Sequence, residues 1–106
     1  MVTKLTILER LLLLGILPPT GDLTTIRIVR KLRESLSFTE EELVTHNVEQ
    51  HENGQVTWIE TGEPKEIELG AKATEAVVKA LEKLDKEVKV EEKHLTLFEK
   101  FGIGED

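Results

Sequence analysis

The chain is predicted to adopt an α+β fold: an N-terminal helical hairpin plus a short helix, a three-stranded antiparallel β-meander, and two C-terminal helices. Three observations predict it. Apolar residues recur at helical spacing in the first third and last third of the chain, each run bounded by capping residues. Between them the period shortens to that of strands around the hairpin dipeptide Asn53-Gly54. The length of 106 residues with 39% hydrophobic content suits one compact domain, 1–106, which buries roughly 60–65% of the surface of its unfolded chain.

Thr6 and Glu9 form a Thr-x-x-Glu capping box, which starts the first helix at Ile7 and carries it to about Leu14. Gly15-Ile16 reads as its stop, a left-handed glycine followed by an apolar residue. Leucine and isoleucine occupy so many of its faces that it must be covered on most sides, which makes it the expected centre of the core. Pro18-Pro19-Thr20-Gly21 reverses the chain, and Asp22 or Thr24 caps a second helix. There Ile26, Ile28, Val29, Leu32 and Leu36 share one face, Arg27, Arg30 and Lys31 the other, with Arg33 at the boundary. Thr39 and Glu42 repeat the capping box for a short third helix.

Val44 to Gln50 and Gln55 to Glu60 flank Asn53-Gly54, which suits a two-residue type I′ turn. That register sets Val48 opposite Ile59, lining the core, and Glu49 opposite Trp58 on the other face. A turn at Thr61-Gly62-Glu63-Pro64 leads to a third strand, Lys65 to Leu69, with Ile67 and Leu69 on one face. The longest helix follows from Ala71 to about Val88. Its stripe runs through Ala73, Ala76, Val77, Ala80, Leu81, Leu84 and Val88, with Glu75–Lys79 and Glu82–Lys86 as exposed pairs. Glu91 to Phe101 reads as a terminal helix anchored by Leu95, Phe98 and Phe101, ended by Gly102-Ile103 and followed by a few fraying residues.

The chain carries little chemistry. Without cysteine there is no disulfide or thiolate zinc site, and a cytoplasmic setting is expected. Leu11 to Leu17 is too short for a signal peptide or a membrane span and ends in Pro18-Pro19, so no membrane association is expected. His46 and His51 are an odd number of residues apart and point to opposite strand faces, which removes a shared metal. Ser35 and Ser37 lie in no nucleophile pattern, glutamates are too numerous to single out an acid–base pair, and no phosphate-binding glycine motif occurs. A non-enzymatic protein without cofactor or metal is expected.

Charge is asymmetric. Residues 1–36 hold six basic and three acidic side chains (+3) and residues 37–106 eight and eighteen (−10), which sum to the net −7. The total disfavours nonspecific nucleic-acid binding, yet every arginine lies in the first third. Two contact surfaces compete: the basic face Arg27, Arg30, Lys31 and Arg33, and Trp58, which is either an exposed anchor or buried by a bulge or a packed helix. The leading expectation is an acidic module that binds a protein, as monomer or homodimer. The alternative is a winged-helix-like DNA-binding transcriptional regulator. Against it stand the acidic third helix, a hairpin lacking Lys and Arg, and Glu34 within the basic face.

The stretch LTILERLLLLGILPPTGDLTTIRIVRKLRESLSFTEEEL, with the closing EEKHLTLFEKF, resembles short uncharacterised proteins encoded by tailed bacteriophages. The resemblance implies a small accessory or regulatory factor acting on a host or phage protein in the cytoplasm of the infected cell. It implies no catalytic or binding residue.

Overall fold

The computed structural model describes residues 2–59 and 64–103. In order, the elements are β1 (Val2–Leu5), α1 (Ile7–Ile16), α2 (Leu23–Leu36), α3 (Glu40–Thr45), β2 (Glu49–Gln50), β3 (Val56–Thr57), β4 (Lys65–Glu68), α4 (Ala71–Lys86), a 3₁₀ turn (Glu92–His94) and α5 (Leu95–Lys100). The α+β class is as expected; among the described residues the three-stranded meander is not formed. In its place stand two separate two-stranded antiparallel sheets, β1 with β4 and β2 with β3.

The β1–β4 ribbon covers the core. Thr3 pairs with Ile67 and Lys4 with Glu66, so Thr3, Leu5 and Ile67 point inward while Lys4 and Glu66 oppose each other outside. The third expected strand thus finds its partner at the chain's start, in a segment with no strand signal of its own. Ile67 and Leu69 are both buried, as their shared face requires.

The hairpin differs in its turn. Gly54 N–H donates to the His51 carbonyl (3.0 Å), His51 N–H donates to the Gln55 carbonyl (2.8 Å), and Gly54 has φ +85° while Asn53 is not left-handed. This is a three-residue loop with a glycine bulge, not a type I′ turn. The register moves by one residue to Glu49–Thr57 and Gln50–Val56, which removes the expected Val48–Ile59 and Glu49–Trp58 pairs. Nor does the hairpin cover the core: Val48 is half-buried and Ile59 is 52% exposed. The expected turn at Thr61-Gly62-Glu63 lies outside the described residues, as do Glu60 and the last three.

α1 is the central post. Ile7, Glu9, Arg10 and Leu13 are buried, and α1 packs on α2, α4 and β1. The helix runs past its expected stop: Gly15 is helical, without positive φ, and the end comes at Leu17 beside Pro18. The core joins Leu13 and Leu17 to Val29, Leu32 and Leu36 of α2, Val77 and Leu81 of α4, and Leu97 of α5. α4 ends two residues early, so Val88 leaves the apolar stripe and lies exposed with φ +58°. Glu75–Lys79 forms at 3.0 Å, and Lys83–Glu87 replaces the expected Glu82 pair. In α5 the inward residue is Leu97, not Leu95, which is 50% exposed. The preceding 3₁₀ turn buries His94 and sets the phase His94, Leu97, Phe98, Phe101. Gly102 (φ +66°) and Ile103 close the helix as expected, Ile103 N–H donating to Phe98 and Gly102 N–H to Glu99.

Candidate functional site

Arg27, Arg30 and Lys31 lie exposed on the outer side of α2. Arg30 faces Glu34 at 3.8 Å with both side chains open to water, which is worth little. Arg33 turns away from them. Its guanidinium donates to the carbonyls of Leu14 (3.5 Å) and Leu17 (3.3 Å), where α1 leaves acceptors without helical partners. Sequence reasoning placed Arg33 at the boundary; its position there is accounted for by the end of α1. Arg30 and Arg33 nonetheless border an open hollow of about 400 Å³ with Pro18, Pro19 and Ile26.

Trp58 is half-buried and lies just after β3. It belongs to a long segment of unusual character: from Ser37 to Glu66 no described side chain is buried. This arm contains α3 and the β2–β3 hairpin, and its apolar residues include Val44 (82% exposed), Ile59 (52%) and Leu43 (39%). Residues 39–59 carry five glutamates and neither Lys nor Arg. The structure keeps Trp58 apart from the basic strip in the element order, on a different element from Arg27, Arg30 and Lys31.

The arm is tied to the body by one buried cation that sequence reasoning did not single out. Arg10 is 1% exposed, donates through Nε to Leu36 O (3.1 Å) and through Nη2 to Ser37 O (2.7 Å), and grips both carboxylate oxygens of Glu42 at 2.5 and 3.3 Å. The Phe38 ring lies 4.0 Å beneath its guanidinium carbon, and Lys65 approaches Glu42 from the other sheet at 3.3 Å. Hydrogen bonds from Arg10 bring the Glu42 pKa down to about 2, against the opposing effect of burial and with help from the Thr39 N–H, the Arg10 charge and Lys65.

Glu9, itself buried, centres a second cluster. Its carboxylate accepts from Thr6 N–H (2.9 Å), Thr96 Oγ (2.8 Å) and Lys100 Nζ (2.6 Å), and Lys100 also donates to Lys4 O. Burial pushes this carboxyl up, but those hydrogen bonds and the Lys100 charge outweigh it and hold the pKa below the usual glutamate range. The signal was available: Glu9 and Arg10 interrupt a helix whose leucines require cover on most sides, and a covered charge needs a partner.

A larger groove opens where the end of α1, the start of α2 and α4 meet. It encloses about 520 Å³ over a floor that includes Ile16, Ile28, Ala76 and Ala80. Lys72, Lys79 and Lys83 stand along its α4 edge, with Asp22 and Glu75 also lining it.

Among the described residues no three His, Asp or Glu side chains come together as a metal site. His51 Nε2 lies 2.8 Å from Thr57 Oγ, and His94 Nδ1 accepts from Glu91 N–H. No helix among these residues is long and apolar enough to cross a membrane. In comparisons with known proteins the chain matches no family model, no curated protein and no solved structure.

Proposed function

We propose that this chain is a small non-enzymatic protein-interaction module that contacts its partner through the arm of residues 38–59. One observation carries the reading. A segment with α3 and a two-stranded hairpin has no buried side chain of its own, exposes Val44 and Ile59, and leaves Trp58 half-buried. Two strands of two residues gain little stability in water, and an apolar partner surface supplies the missing cover. The unbroken glutamate bias of 39–59 points to a basic rim on that partner. A host or phage protein as partner accords with the bacteriophage resemblance.

Capture from host lysate tests this, with variants chosen to leave the core untouched. Wild type should recover a basic protein; Val44→Ser/Ile59→Ser and Trp58→Ala should each weaken that capture at least tenfold, while Arg27→Glu/Arg30→Glu retains it. Retention of the same partner by both arm variants rejects the arm as the contact. Titration with duplex DNA at two salt concentrations covers the basic strip. Binding that weakens steeply with salt and is lost in Arg27→Glu/Arg30→Glu would favour nucleic acid over protein.

A further inference from the structure

We infer that the groove between α1, α2 and α4 binds a small amphipathic organic anion, an apolar chain or ring system ending in a carboxylate. Its volume of about 520 Å³ falls within the range of about 300–1,000 Å³ typical of small-molecule sites, which are mostly apolar with a few polar groups. The floor supplies the apolar part through Ile16, Ile28, Ala76 and Ala80.

The edge supplies a positive excess. Asp22 is engaged as the N-cap of α2 through Thr25 N–H at 2.7 Å, and Glu75 pairs with Lys79 at 3.0 Å. Lys83 has only Glu87 at 3.9 Å, and Lys72 has no ion-pair partner among the described residues. Three lysines against Asp22 and Glu75 leave the lining one positive charge in excess, and Lys72, the one without an ion pair among the described residues, complements a ligand with one negative end. An acidic chain of net −7 gains nothing in solubility from placing its lysines around this hollow in particular.

Gly15 is an independent observation. It sits in the last turn of α1, where glycine is less stabilising than alanine. Its φ is not left-handed, and a Cβ built there meets nothing within 4 Å. Neither turn geometry nor crowding accounts for glycine. What its missing side chain leaves is open backbone on the wall of this groove, which suits a close approach by a ligand.

Dodecanoate, octanoate, dodecanol and dodecylammonium are the probes, titrated by calorimetry and by amide chemical-shift mapping. Dodecanoate should bind one to one and shift amides around Ile16, Thr25 and Ala76. Removing four methylenes should weaken binding about a hundredfold or more, and dodecylammonium should bind at least tenfold more weakly than dodecanoate. Gly15→Leu, which enters open space from an exposed helix end, should abolish binding with the fold intact by circular dichroism. Lys72→Gln/Lys83→Gln should weaken the carboxylate at least fivefold and leave dodecanol unchanged. Unsaturable binding, binding unaffected by Gly15→Leu, or equal affinity for the ammonium overturns the inference. So does a groove that ignores dodecanoate but takes an acidic amphipathic peptide. All these results are independent of the arm and leave the protein-contact reading where it stands.

Discussion

Replacing Arg10 by Met keeps the length and apolar stem of the side chain but removes the guanidinium donors that join α1, α2 and α3. Four hydrogen bonds disappear, to Leu36 O, Ser37 O and both oxygens of Glu42. Breaking a buried pair by removing one partner costs about 3–5 kcal/mol. Glu42 retains Lys65 and some contact with water, its side chain being 18% exposed, so the lower end applies. The expected loss is about 3 kcal/mol, a large share of the roughly 5–15 kcal/mol that holds a domain of this size. Glu42→Gln should cost about 2 kcal/mol. If the two residues act as one unit, the double variant loses less than the sum, with a coupling of about 1–3 kcal/mol. Urea unfolding followed by far-ultraviolet circular dichroism at neutral pH measures all four corners. A loss below about 1 kcal/mol for Arg10→Met, or a coupling within about 0.5 kcal/mol of zero, would refute the role assigned to the pair.

Four further outcomes follow from particular residues. The Glu42 pKa lies at about 2 in the folded chain against the usual 4.5, so its contribution is complete above the unfolded value and is lost as pH falls toward 2; Glu9, also lowered, acts with the same sign. After allowance for solvent screening, wild type should lose about 1–2 kcal/mol more than Glu42→Gln between about pH 5 and pH 2; parallel pH profiles would sink this. Val88 is β-branched, left-handed and 89% exposed, so Val88→Gly should raise Tm by about 3–5 °C through relief of strain, and a lower Tm would contradict it. Leu97→Ala should cost about 2–5 kcal/mol and Leu95→Ala less than about 1; the reverse order would restore the phase read from sequence. Amides in 46–59 should exchange at least a hundredfold faster than those of Leu13, Leu32 and Leu81, and equal protection would show that the arm unfolds only with the body.

The features legible in the sequence are those decided within four or five residues. Both Thr–Glu capping boxes and the Gly102-Ile103 closure form as read, and Asp22 is the cap of the two, Asp22 or Thr24, that the sequence offers, because each depends on local hydrogen bonds. Three misreadings share a different cause. Gly15 reads in sequence as a left-handed stop, but Pro18 rather than Gly15 ends α1. Asn53-Gly54 reads in sequence as a two-residue turn, but a bulge at Gly54 adds one residue and turns one strand over relative to the other. Leu95 reads in sequence as an anchor, but the 3₁₀ turn advances the phase and buries His94 instead. In each case the residue type was right and the geometry had two solutions. β1–β4 pairing is harder still: Val2–Leu5 joins a strand more than half the chain away, and nothing in four residues announces it.

Glu42 brings the local and the distant together. As the third residue of a capping box it is legible, and its N–H and carboxylate exchange hydrogen bonds with Thr39 whatever the rest of the chain does. The same carboxylate then neutralises Arg10, whose other donors close the open carbonyls at the end of α2. Folding of α3 therefore presents the acid at the place where the buried guanidinium needs it. The arm, which has no core of its own, is held at its root by charge and hydrogen bonding rather than by apolar burial. Such a joint fixes where the arm starts and leaves Val44, Trp58 and Ile59 beyond it, which is the arrangement a contact surface requires.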